Sequence, residues 1–170
     1  MLDNAIKYEE ELKIKLIDTW YDEKYKYYYM GGGHKPYCPA ENDWSAREFV
    51  SLDKNGKILG YISYTINRNV NSIYEFGAIN FSDDKFIFGI DLFKVIDNIF
   101  CRFGHQKLEW DVVCGNPIEE SYDEAVTKIG GRIVGIKKRA VKLADGKLYD
   151  KKMYEILQED YMKYREERKK

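Results

Sequence analysis

Glu75 stands in a run of otherwise apolar or small residues, Ile73-Tyr74-Glu75-Phe76-Gly77-Ala78-Ile79. A carboxylate in such a strand is costly unless water, a cationic partner or a function accounts for it. It is either a general base that takes a proton from a nucleophile or a salt-bridged glutamate on the strand's exposed face. Tyr122 offers the complementary chemistry. A phenol, protonated at neutral pH, can donate to negative charge as it develops. Its other reading is a core tyrosine on the apolar stripe of a helix. Asn116 can cap a helix, and its several hydrogen-bonding sites also suit a ligand contact. Phe88 opens an amphipathic helix. The first amides of a helix are unpaired and lie at the positive end of its dipole, so such a start can hold an anion.

Other groupings carry less chemistry. His34 and Cys38 lie four apart with no second pair, and zinc needs three or four protein ligands, so no metal is expected. Gly31-Gly32-Gly33 is not followed by Gly-Lys-Ser/Thr, which excludes a phosphate loop of that type. It reads as a helix stop and hinge. Trp20, Tyr25, Tyr27, Tyr28, Tyr29 and Trp44 either wall an acceptor site or pack a helix on a sheet. Lys137-Lys138-Arg139 suits an acidic partner or the protection of a sheet edge.

The elements that must position these groups follow from periodicity. A helical region runs from about Asn4 to about Tyr29 and is broken once at most. Glu48–Leu52, Ile58–Ile66 and Ile73–Phe81 alternate as strands, the first two joined at Asn55-Gly56. Phe88, Leu92, Val95, Ile99 and Phe103 mark an amphipathic helix closed by Gly104. Leu108 to Cys114 alternate again. Asn116-Pro117-Ile118-Glu119 starts a helix with capping-box spacing, and Gly130-Gly131 ends it. Arg132 to about Leu143 and Leu148–Leu157 form a hairpin at Asp145-Gly146. Residues 158–170 read as a charged, fraying helical tail. The expected fold is α+β, with a mixed, mostly antiparallel sheet and helices on both faces.

A length of 170 residues suits one domain, 1–170. The 44% hydrophobic content excludes disorder. Lys and Arg total 28 against 29 Asp and Glu, which argues against bulk nucleic-acid or membrane binding. The first residues lack the apolar stretch of a signal peptide. Three cysteines without a C-x-x-C point to a reduced, cytoplasmic protein.

The element order resembles the GNAT superfamily of N-acetyltransferases over roughly Arg47 to Leu157, with residues 1–45 standing where that family keeps its acceptor-side helices. The family's Gln/Arg-x-x-Gly-x-Gly/Ala signature falls on Phe86-Ile87-Phe88-Gly89-Ile90-Asp91, and only Gly89 fits it. The resemblance implies acetyl-CoA as co-substrate, with its diphosphate on the amides there and Lys85 adding charge. The pantetheine arm is then expected along Ile79, Asn80 and Phe81, in a splay between the third and fourth of the strands read above. Asn116 resembles an Asn that many members keep. Val126 falls where many members carry Tyr, and Tyr122 lies one turn earlier. Some members use a glutamate eleven residues before the signature as base, and Glu75 precedes Phe86 by eleven. The implied reaction is acetyl transfer to a small-molecule or peptide amine, and the arrangement allows a homodimer. The alternative is a non-catalytic acyl-CoA-binding or protein-interaction module on the same fold.

Overall fold

The computed structural model describes residues 1–29, 36–40, 43–83 and 85–169. The glycine run 31–33 and His34 lie outside the described residues. The chain order is β1 (Leu2–Asn4), α1 (Glu9–Asp18), β2 (Ala46–Leu52), β3 (Ile58–Asn67), β4 (Ser72–Asn80), α2 (Lys85–Asp97), β5 (Lys107–Val113), α3 (Glu119–Lys128), β6 (Arg132–Lys142), β7 (Leu148–Leu157) and α4 (Gln158–Glu167). The strands form one sheet in the order β1-β2-β3-β4-β5-β7-β6. Only β4 and β5 pair in parallel; the other neighbours are antiparallel. The hairpin glycines sit at the positive φ that tight turns need, 83° at Gly56 and 78° at Gly146.

Alternation along each strand divides the core between two faces. Ile62, Ile73, Leu108 and Ile156 face α2, α3 and α4, where Phe88, Val95, Val126 and Tyr161 meet them. Val50, Tyr61 and Ile79 face the other way and receive Leu12 and Leu16 of α1. The expected α+β layout with helices on both faces is the one observed. A partly buried tie fixes the loop beside α1: Glu48 accepts hydrogen bonds from the Tyr61 hydroxyl (2.7 Å), the Tyr37 hydroxyl (2.9 Å) and the Ala40 amide (3.0 Å). That carboxylate pins residues 36–40 to the sheet.

The helical region begins near Asn4 as expected, with a 3₁₀ turn at Ala5–Tyr8 leading into α1. A short edge strand precedes it, with Leu2 opposite Ser51 and Asn4 opposite Phe49. Three residues are too few to show a period of two. The helix expected to Phe103 leaves α geometry after Asp97 and ends in a π turn, Asn98–Arg102. The tail does not fray through its length. Tyr161 is fully buried, stacks on Phe100 at 4.7 Å and donates to Asp97 at 3.0 Å, and Arg165 pairs with the same aspartate. One aromatic anchor every few residues is enough to dock a helix whose composition is otherwise charged. Among the described residues no helix is long and apolar enough to cross a membrane.

Candidate active site

The β4–β5 pairing is brief. Ser72 and Ile73 are in register with Lys107 and Leu108; beyond them the strands diverge. The gap opens a cavity of about 580 Å³ lined from β4, β5, the start of α2, the start of α3 and the tyrosine segment that follows α1. The expected splay is therefore present.

Glu75 lines this cavity. Ser63 of β3 is opposite Gly77 and Thr65 is opposite Tyr74. Glu75 and Phe76 thus face the single residue Tyr64, a β-bulge. Glu75 adopts a φ of 51°, a left-handed value that a residue with a Cβ occupies only when its surroundings enforce it. The bulge turns the side chain outward, where its carboxylate accepts from the Thr65 hydroxyl at 2.9 Å. Among the described residues it forms no ion pair, so the salt-bridge reading is not the one observed.

Parity along β4 corrects one binding residue. The Phe81 amide donates to Leu59 at 2.8 Å, so it belongs to the β3 ladder. Antiparallel bonding alternates, which turns Ile79 the same way and aims the main-chain groups of Ala78 and Asn80 at the gap. Ile79 and Asn80 both line the cavity; Phe81 does not. Its ring packs with the α1 layer instead.

At the start of α2, Lys85, Phe88 and Gly89 reach the cavity, whereas Phe86, Ile87, Ile90 and Asp91 do not. Phe86 and Ile90 are turned outward, exposed by 77% and 42%. Phe88 lies over Gly60, where an added Cβ would stand 2.3 Å from its ring. Asp91 is a structural residue. Its buried carboxylate meets the Met1 ammonium at 2.9 Å, Lys94 at 2.9 Å and the Ser51 hydroxyl at 2.8 Å. Its negative charge is thereby spent within the fold, on the side of α2 away from the gap. Burial opposes ionisation of Asp91, but hydrogen bonds from the ammonium, Lys94 and Ser51 outweigh it and hold the pKa below the usual aspartate value. A depressed folded pKa contributes stability above the unfolded value of about 3.9, and that contribution is lost as pH falls through the folded one. Asp91→Ala is expected to cost about 1–2 kcal/mol at neutral pH, since it leaves the buried Ser51 hydroxyl unpaired while the exposed Met1 and Lys94 ammonium groups return to water. A thermal melt checks this, and the difference from wild type should shrink in acid.

Asn116 and Tyr122 enter the cavity from the α3 side. The Asn116 side chain accepts from the Ile118 amide at 3.1 Å, and Glu119 accepts from the Gly115 amide at 2.8 Å. Asn116 thus closes a side-chain turn just ahead of α3, whose cap position falls on Ile118 instead of the expected Asn116, and it borders the cavity. Tyr122 packs edge-on against Trp110. Burial pushes its phenol above the ordinary tyrosine value, so it is protonated at neutral pH. Val126, one turn on, is fully buried.

The opposite wall is aromatic. Tyr25, Tyr27 and Tyr28 line the cavity, while Trp20, Tyr29 and Trp44 do not. Trp44 instead stacks with Arg68 at 4.4 Å. Sequence reasoning missed Lys24, Ser63, Trp110 and Asp111, all of which line the cavity. Asp111 was legible: it alternates with the core residues Trp110 and Val112, so it must face the other side, where Lys151 meets it at 2.5 Å. The lining therefore carries two carboxylates, Glu75 and Asp111, and two ammonium groups, Lys24 and Lys85.

Solved structures share this architecture. A spermidine N-acetyltransferase from Vibrio cholerae, in complex with CoA and spermine, matches with a TM-score of 0.71 at 19% identity, over 95% of this chain and 97% of that one. A probable GNAT-family acetyltransferase from Chromobacterium violaceum matches with a TM-score of 0.67 at 16% identity, over 95% and 87%. No protein-family model and no curated protein matches the sequence. The likeness defines the class by architecture: the chain has the GNAT N-acetyltransferase fold.

Proposed function

We propose that the protein is an acetyl-CoA-dependent N-acetyltransferase that acts on a primary amine by direct attack. The observation that carries this reading is the splay of β4 from β5 beside the Glu75 bulge. It joins gap-facing main chain of β4, a carboxylate and a protonated phenol in one cavity. The fit to acetyl-CoA rests on three features. The gap-facing main chain at Ala78 and Asn80 can pair with an amide-bearing arm. Gly89 leaves open space, since an added Cβ there meets nothing within 4 Å. The first amides of α2 suit a diphosphate.

In this reading Glu75 takes the amine proton, directly or through water, so that the nitrogen lone pair can form the new bond to the acyl carbon. The Asn80 or Ala78 amide polarises the thioester carbonyl. As the carbon–sulfur bond breaks, Tyr122 donates its proton to the departing sulfur and recovers one from solvent. Holding the partners side by side supplies much of the rate. Two carboxylates and three tyrosine rings suit a cationic acceptor, and spermidine is the first to try, given the fold neighbour that acts on it.

The test is thiol release from acetyl-CoA across a panel of amines that includes spermidine and spermine, with the acetylated product identified by mass. Binding of acetyl-CoA without turnover on the whole panel would support the non-catalytic module. Tyr122→Phe is expected to lower kcat about tenfold, below the usual ~10²–10⁴ of general-acid effects because solvent can substitute, with acetyl-CoA affinity unchanged in a calorimetric titration.

A further inference from the structure

A donor site at the start of α2 meets a charge deficit. The first position of the family signature holds Phe86, exposed by 77%, so no side chain there can pair with phosphate. Asp83, just ahead of α2, adds an acid next to the place where an anion would sit. Lys85 is the local cation. The structure brings a second, Lys24, from 61 residues upstream of it.

Lys24 belongs to a short 3₁₀ turn, Glu23–Tyr25, capped by the Asp22 side chain, which accepts from the Lys24 amide at 2.8 Å. The Lys24 ammonium lies 5.3 Å from the centroid of the Tyr25 ring and 3.4 Å from the Asp83 carboxylate. Lys24 and Lys85 line the same cavity. The Lys24–Asp83 pair is weak by construction. Its side chains are exposed by 51% and 104%, and long, solvent-exposed pairs contribute little. A phosphate dianion offers more charge and several acceptor oxygens, so it outcompetes a lone exposed carboxylate for the ammonium.

We propose that Lys24 is a binding residue for the diphosphate of the acyl donor, replacing the missing signature side chain, and that Asp83 is its resting partner. The inference rests on the acetyl-CoA reading above. It assigns donor binding partly to the N-terminal segment, which otherwise only walls the acceptor side.

The opposing reading is a tether, in which Lys24 and Asp83 merely hold the N-terminal segment against the loop before α2. The two readings give opposite signs for one variant. Calorimetric titration of acetyl-CoA into wild type, Lys24→Met and Asp83→Asn at low salt separates them. Under the proposal Lys24→Met raises Kd about tenfold, the size of one lost charge-assisted contact. Asp83→Asn leaves Kd unchanged or lowers it, because it frees Lys24 and removes a repelling charge. Equal affinity of Lys24→Met and wild type overturns the proposal, as does a parallel loss in both variants, which marks a tether. Neither outcome touches the acetyl-CoA reading, which fails only if wild type itself does not bind.

Discussion

Glu75→Gln is expected to lower kcat by about 10²–10³, within the range for removing a general base, while acetyl-CoA affinity stays the same. The substitution keeps an oxygen that can accept from the Thr65 hydroxyl, so the bulge has no cause to rearrange. What disappears is the capacity to accept a proton. An alkyl ammonium titrates near pH 10.4. At neutral pH the variant must therefore wait for the small fraction of acceptor that is already neutral. The deficit should shrink as pH is raised toward that value, because the amine then loses its proton to solvent. If Glu75 only held the ammonium by charge, the loss would appear in KM for the amine and would not recover with pH. An unchanged rate with the true acceptor removes Glu75 from the mechanism. Glu75→Gly gives an independent check. Glycine accepts a φ of 51° without penalty, so this variant should melt no lower than wild type yet be as impaired. A site that stores backbone strain for function has that profile.

The fold was legible where the signal is local. Asn55-Gly56 and Asp145-Gly146 demand positive φ whatever surrounds them, and both hairpins stand where the residues placed them. The apolar period of α2 and the alternation of β5 are equally self-contained. Nothing local encodes the bulge at Glu75. It exists because β3 spends one residue, Tyr64, where β4 spends two, a matter of register between strands. The same limit hides which main-chain groups of β4 face the gap. Deciding between Phe81 and Asn80 requires knowing which of them β3 claims, and that follows from Leu59. Asp91 was read as a neighbour of the phosphate site because its sequence position is close. Ser51 and Met1, 40 and 90 residues away in sequence, turn it into a structural anchor. Lys24 gave no signal because a single 3₁₀ turn has no period to read.

Gly89→Val is expected to weaken acetyl-CoA binding at least tenfold without destabilising the protein. Glycine inside a helix costs up to about 1 kcal/mol relative to alanine, so its place in α2 calls for a reason. Left-handed geometry is not that reason, because Gly89 is absent from the positions of positive φ. Close packing is not either. An added Cβ at Gly89 meets nothing within 4 Å, whereas at Gly60 it would collide with Phe88 and at Gly131 with Val126 and Ile156. The space at Gly89 belongs to the cavity that Lys85, Phe88 and Asn80 share with it. A side chain there stays clear of the fold and intrudes on whatever approaches the first turn of α2. Valine should therefore leave the melting temperature equal or slightly raised, helix preference being on its side. Its methyl groups would hold a diphosphate away from the amides that must touch it. Gly89→Ala should fall between the two, since one methyl intrudes less than three carbons. Calorimetry showing the same affinity in all three proteins would place the diphosphate elsewhere and separate the donor site from α2. A fall in affinity graded with side-chain size, at constant melting temperature, is the result a main-chain anion cradle requires.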